Sequence, residues 1–266
     1  MSVHQALQRI RETLKLHINL PKTLYFNFKV FDFRQAVRLP VFLYGKVDLD
    51  ALHRGCVELS SKVRTGGVKF GGGWYTELYG YSQRHKSFLR IEGKLVLGND
   101  ITINQGALFS ISRNAVVRIG DRVRFSERAL LHSKESITIE DDCLIGWNTQ
   151  IFDSDFHYIV NDGILKYRNA PVYLGRNVWL ANGVFIMKGA CLPAYSVVAS
   201  NSLVNKDFSR SGERCLFGGI PAKCLKQNVE RLICKDTEVD RLFAGVSSDL
   251  VYKDVEEELK KEHYQI

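Results

Sequence analysis

Residues 153–157 read Asp-Ser-Asp-Phe-His, which sets two carboxylates and an imidazole at alternating positions. In extended backbone, residues two apart share a face, so Asp153, Asp155 and His157 are expected to line one edge. A carboxylate beside an imidazole fixes its tautomer and raises its basicity, which suits a general base. Spacing alone leaves open which aspartate pairs with His157. No cysteine or serine stands in a recognisable nucleophile setting, so no covalent enzyme intermediate is expected.

The elements that must position these residues declare themselves through a six-residue beat. Leu174, Leu180, Ile186, Leu192, Val198 and Val204 fall six apart. Upstream, Leu97, Ile103 and Phe109 form one set, Ile119, Phe125 and Leu131 a second, and Ile139, Ile145 and Ile151 a third. A fixed period is the signature of stacked coils, each burying its aliphatic residues against the next. Three hexads make one coil, so the cross-section is expected to be triangular. Successive sets start 22, 20, 35 and 18 residues apart, and the long interval implies an insertion at about 157–173. A second slot, four residues after the aliphatic one, holds Val123, Ala129, Cys143, Thr149, Val178, Val184, Ala190, Ser196 and Ser202. All are small or β-branched, as a narrow core requires. Asp155 breaks that slot; a carboxylate there loses solvation and must find a partner.

The flanks are less regular. Val3, Leu7, Ile10 and Leu14 share a helical face, with Arg9, Arg11 and Lys15 elsewhere around it. That face is expected to pack on the solenoid or another subunit, with peripheral attachment to a membrane as the alternative. Thr23 to Phe31 is rich in β-formers and aromatics, which reads as extended chain, and is expected to cap or begin the solenoid. The repeat is weak over 41–96, and the aromatics of 71–90 read as an irregular loop that contacts a neighbouring subunit or stacks on a sugar. The division is therefore 1–40 (helix and cap), 41–224 (coil domain) and 225–266 (an acidic, partly helical tail, best from Asp254 to Lys261).

Composition bounds the rest. Hydrophobic residues are 45% and charged ones 25%, ordinary for a globular chain. No apolar run approaches the roughly 20 residues that span a bilayer, and residues 1–16 lack a signal-peptide core. Six scattered cysteines form no Cys-x-x-Cys pair, so the expected compartment is the cytoplasm, or the inner face of its membrane. A net charge of +8 suits anionic partners. Nucleic acid is not expected, because there is no basic helix or binding motif for it.

Three segments carry a resemblance. Pro171-Val-Tyr-Leu-Gly-Arg-Asn-Val-Trp179-Leu-Ala-Asn-Gly-Val, Ser202-Leu-Val-Asn-Lys206-Asp and Gly219-Ile-Pro-Ala-Lys223 resemble the C-terminal half of the hexapeptide-repeat O-acetyltransferases. The Asp-x-Asp-Phe-His stretch is similar to the subgroup associated with surface polysaccharides, and the likeness covers roughly residues 90–228. It implies an all-β solenoid, a left-handed parallel β-helix, a homotrimer, and acetyl-CoA as the acetyl donor lying between two subunits. It further implies that His157 is the base for a sugar hydroxyl, with Asp153 or Asp155 beside it. By the same likeness Asn148 contacts the acceptor, with His132 on that side, and the Asn182 backbone N–H faces the oxyanion. Trp179, Ala181, Gly183, Ser200, Asn205, Lys206 and Lys223 are implied cofactor contacts. Two positions depart from the pattern: Ala199-Ser200-Asn201 replaces Gly-Ala-Gly, and Asn205 replaces Thr.

Rival readings follow from the same architecture. An amino-sugar N-acetyltransferase differs only in its acceptor. A hydratase of the γ-carbonic-anhydrase type needs three imidazoles on a metal, and the core supplies only His132 and His157, so no metal is expected. A non-catalytic solenoid would have no use for the break at 153–157.

Overall fold

The computed structural model describes residues 18–60, 63–72 and 85–232. The segments 3–16 and Asp254–Lys261, and most of the aromatic stretch 71–90, lie outside them. The chain divides after Glu230; of the second unit, Arg231–Ile266, only two residues are described.

The first described element is the helix α1 (Leu20–Val30), followed by the single turn α2 (Phe33–Ala36). This overturns the extended reading of Thr23–Phe31. Aromatic and β-branched residues lowered its helix propensity, but burial follows the helical period at Thr23, Phe26, Asn27 and Val30. Asn19 caps the start, its side chain accepting from the Lys22 N–H, with Pro21 in the first turn. The buried Asn27 amide donates to the Val41 carbonyl at 2.7 Å and its carbonyl accepts the Val41 N–H at 3.2 Å, so the helix still caps the solenoid.

Coil one comprises Val41–Leu43 (β1), Val47–Asp50 (β2) and Val57–Leu59 (β3). Coil two is Val68–Phe70 (β4), Ser87–Ile91 (β5) and Lys94–Leu97 (β6); coil three is Ile101–Ile103 (β7), Leu108–Ile111 (β8) and Val116–Ile119 (β9). Coil four is Arg124–Phe125 (β10), Leu130–Ser133 (β11) and Ser136–Ile139 (β12). Coil five runs Leu144–Ile145 (β13) and Gln150–Phe152 (β14), then a hairpin of Ile159–Asn161 (β15) and Ile164–Lys166 (β16), then Val172–Leu174 (β17). Coil six is Trp179–Leu180 (β18), Phe185–Ile186 (β19) and Cys191–Leu192 (β20). Val197–Val198 (β21) and Leu203–Val204 (β22) begin a last coil, closed by the antiparallel pair Cys215–Gly219 (β23) and Ala222–Gln227 (β24).

Corresponding strands stack into three parallel sheets, one per side. The hexad aliphatics are the stacked core: Ile103, Phe125, Ile145, Leu180, Val198 and Phe217 are successive Cα partners on the first side. Phe109, Leu131, Ile151, Ile186 and Val204 do the same on the second, and Leu97, Ile119, Ile139, Leu174 and Leu192 on the third. All of these are buried, each contributing roughly 1.5–3 kcal/mol relative to exposure. The small residues of the second slot are buried too. Residues 41–97 supply the six strands of two coils although their beat is weak. The insertion is displaced from its expected bounds: it leaves after Phe152 and ends before Val172, which pairs with Ile137. Pairing of β24 with β23 also carries the ordered chain past residue 224.

At the corner joining the third side to the first, buried Asp142 accepts from Arg122 Nε at 2.6 Å and from Arg176 Nη2 at 3.2 Å. Burial alone would raise its carboxyl, but the hydrogen bonds and charges of the two guanidiniums outweigh that and hold it below the ordinary value. A depressed folded pKa stabilises above the unfolded value of about 3.9 and is lost as pH falls through the folded value. The urea midpoint should therefore drop on acidification from about pH 5 to about pH 3, and drop less in Asp142→Asn. An equal drop in both proteins would exclude this pair as a source of acid sensitivity.

Candidate active site

The insertion is pinned at its root by Asp153. Its side chain is fully buried and accepts from Ser133 Oγ at 2.6 Å, the Lys134 N–H at 2.7 Å and the Glu135 N–H at 2.9 Å. It thereby closes the turn between β11 and β12. Buried Ser154 turns the chain next: its hydroxyl donates to Asn169 Oδ1 at 2.7 Å and accepts the Phe156 N–H at 3.0 Å. Phe156 then adopts a left-handed backbone, φ +61°.

The expected edge of Asp153, Asp155 and His157 is consequently not formed. The shared-face rule needs extended backbone, and the turn at Ser154–Phe156 removes it. Asp155 lies outside the core slot and pairs with Lys188 Nζ at 2.7 Å, both side chains being half-buried. Lys188 also donates to the Tyr167 carbonyl at 2.6 Å, so one lysine straps the outgoing and returning arms of the insertion to coil six. His157 is exposed, and its imidazole has no hydrogen-bond partner among the described residues.

His132 stands on the outer face of β11, cross-strand from Phe152. Its ring lies 5.0 Å from that of Phe156, which in turn meets Phe152 edge-on at 5.4 Å. Its Nε2 is buried with no hydrogen-bond partner among the described residues. Burial first, then the Lys134 charge, lowers its pKa despite Asp153, which favours the neutral ring. Phe156, Ser154 and Lys188 were missed from the sequence. Nothing in the period marks Lys188, because a corner accepts any polar residue.

Asn148, Asn182 and Gly183 belong to stacked turns between the first and second sides. The Trp147 N–H donates to Asn182 Oδ1 at 3.0 Å, the Gly183 N–H to the Trp147 carbonyl at 2.6 Å, and the Asn201 N–H to the Asn182 carbonyl at 2.9 Å. Asn148 sits at φ +53°, a conformation that asparagine tolerates. Gly183, at φ +70°, could not carry a Cβ, which would lie 2.4 Å from Asn201 Oδ1. Ser200 is exposed at the next turn up. Trp179 is half-buried on the outer face of β18, cross-strand from Leu144 and Val197, and Ala181 follows it into the turn. Asn205 and Lys206 are exposed beyond β22, with Lys206 Nζ 5.1 Å above the Phe208 ring. Lys223 is exposed on β24, cross-strand from Gly218, and the Gly219 N–H ties that hairpin to Ser202 Oγ at 3.1 Å.

Within one chain these residues occupy two edges of the second side. Asn148, Asn182, Gly183 and Ser200 lie at the edge entering it, whereas the insertion with His157 departs from the edge leaving it. The strand Gln150–Phe152 separates them, about 10 Å of extended chain. Among the described residues no group of three His, Cys, Asp or Glu side chains is placed to hold a metal.

A parallel β-helix built of hexads is thus the class of molecule. Its coils keep a six-residue period, and over about half of its length the chain is similar to a curated relative. That relative is WbbJ of Escherichia coli (strain K12), provisionally described as a lipopolysaccharide biosynthesis O-acetyl transferase; it is 25% identical over 154 residues, covering 54% of this chain and 77% of WbbJ. No protein-family profile matches the sequence. Among solved structures, the polySia-specific acetyltransferase NeuO overlaps 74% of this chain and 93% of its own at 20% identity, with a TM-score of 0.47. A hexapeptide-repeat acetyltransferase of Vibrio cholerae O1 biovar eltor, complexed with acetyl-CoA, overlaps 55% and 70% at 26% identity, with a TM-score of 0.38.

Proposed function

We propose that the chain transfers acetyl from acetyl-CoA to a hydroxyl of a sugar in a surface glycan. The observation that carries this reading is the insertion at coil five. It leaves coil five between two of its sides, is fastened at Asp153 and Lys188, and presents His157 with its imidazole uncommitted. A fixed loop bearing a free imidazole is what abstraction of a hydroxyl proton requires.

The donor fits the corner of small turns. Ala181, Gly183 and Ser200 leave that edge low, and the exposed ammonium groups of Lys206 and Lys223 suit phosphates as point charges. Acetyl-CoA supplies an activated acyl group as a thioester. The acceptor hydroxyl gives its proton to His157 as its oxygen bonds to the acetyl carbon, and that proton passes to the departing thiolate. The Asn182 backbone N–H is assigned to the negative charge that develops, a contact worth a few kcal/mol in acyl transfer. Asn148 and the neutral His132 face the acceptor. Thiol release across sugars, amino sugars and lipid-linked glycans tests the reading; release with amines alone would instead favour N-acetylation.

Because the turn row and His157 lie at opposite edges of one side, a complete site draws one edge from each of two copies. Cyclic symmetry then gives identical sites, and the expected assembly is a homotrimer. Sedimentation at micromolar concentration should show it; a fully active monomer would contradict the shared site.

Lys206→Ala and Lys223→Ala should each raise the KM for acetyl-CoA and leave kcat nearly unchanged, since a phosphate contact is the same in ground and transition states. The defect should shrink at high salt. Unchanged KM in both variants would place the phosphates elsewhere.

A further inference from the structure

The helix α1 has a second apolar face that the coil does not use. Thr23, Phe26, Asn27 and Val30 are buried. On the side next to these, Leu20, Leu24 and Phe28 follow one another at intervals of four, 55%, 40% and 42% exposed. The Phe33 ring, 71% exposed, meets Phe28 at 6.1 Å between centroids and extends this line past the end of the helix. Tyr25, 56% exposed, flanks it.

Basic residues border the same surface. Lys29, Arg34 and Arg38 are exposed, and the one acid between them, Asp32, accepts the Gln35 N–H at 3.0 Å as a helix cap. Residues 1–38 carry seven Lys or Arg against two Asp or Glu, whereas the whole chain carries 37 against 29. Within the described part of that stretch, Lys22, Lys29, Arg34 and Arg38 stand against Asp32 alone, so the surface beside the apolar line is positive.

We propose that this face docks on an anionic lipid bilayer, with α1 lying in the plane of the interface. No helix among the described residues is long and apolar enough to cross a membrane. Leucine and phenylalanine along one face, with lysine and arginine at its border, suit the boundary between acyl chains and negative headgroups. A nucleic acid would engage the cations but give the exposed leucines and phenylalanines nothing to bury against. A second copy would bring two positive faces together.

The test uses the full chain and vesicles of phosphatidylcholine, alone or with about one third phosphatidylglycerol. The wild type should sediment with the anionic vesicles at low salt and far less with neutral ones. Phe28→Ser with Phe33→Ser, and separately Lys29→Glu with Arg34→Glu, should each weaken binding about tenfold or more. The charge-reversal pair is wholly on the surface and carries the test even if the aromatic pair disturbs folding. Wild-type protein left in the supernatant with anionic vesicles would overturn the proposal. So would charge-reversed protein that binds like wild type, or variants whose oligomeric mass changes while vesicle binding does not. None of these readouts depends on acetyl transfer, so failure here is separate from failure of the proposed activity.

Discussion

His157→Ala should lower kcat by roughly 10²–10⁴-fold, the usual range for removing a general base, while acetyl-CoA still binds. The imidazole is exposed and makes no hydrogen bond to the described residues, so its loss strands no partner and should leave stability unchanged. That separation of effects is the diagnostic. A structural histidine would do the reverse, costing stability and sparing turnover. Steady-state kinetics with calorimetric binding of CoA distinguishes them, and near-normal turnover would sink the assignment.

Asp153→Ala should produce the other large effect, on stability first. Three donors lose their acceptor at once: the buried Ser133 Oγ and the half-buried N–H groups of Lys134 and Glu135. An unsatisfied buried polar group costs about 1–3 kcal/mol, so the total should reach about 3 kcal/mol or more. A urea titration should show a lower midpoint at unchanged slope. Turnover should fall as well, because the root of the insertion is released. Lys188→Ala gives the contrast: its pair with Asp155 is half-exposed, and the loss of stability should be about 1 kcal/mol or less. If Asp153→Ala melts like wild type, the carboxylate is not the anchor that its three contacts imply.

The solenoid was legible because its chemistry is periodic. Each hexad aliphatic, from Leu97 to Val204, occupies the inward position of a strand, and the slot four residues on most often holds a buried Ala, Val, Thr, Ser or Cys. The first two coils were obscured because their inward residues do not keep the beat: Phe70 and Leu89, stacked on Ile103 and Phe109, lie nineteen apart. At α1 the propensities of Thr23, Tyr25, Phe26 and Val30 pointed to strand, while the burial period and the Asn19 cap, also written in the sequence, pointed to helix. Tertiary burial against β1 decided it.

The site was legible as a place but not as a geometry. The break at 153–157 is where the chain leaves the coil, yet its three acid–base residues diverge. A serine-based turn and a left-handed Phe156 are local backbone choices that alternation cannot foresee. Asn148 shows the converse: a residue singled out for the acceptor also meets the demand of a positive φ. Lys188 became visible only when coil six was stacked on coil five.

The central claim is transfer of acetyl from acetyl-CoA to a sugar hydroxyl without a covalent enzyme intermediate. It is tested most directly by supplying carbonyl-labelled [¹³C]acetyl-CoA with candidate glycans and following the label by NMR and intact-protein mass spectrometry. The account predicts a labelled ester on the glycan, unlabelled protein throughout, and ester formation slowed roughly 10²–10⁴-fold in His157→Ala. A labelled amide, a labelled protein, or no transfer to any glycan hydroxyl would contradict it.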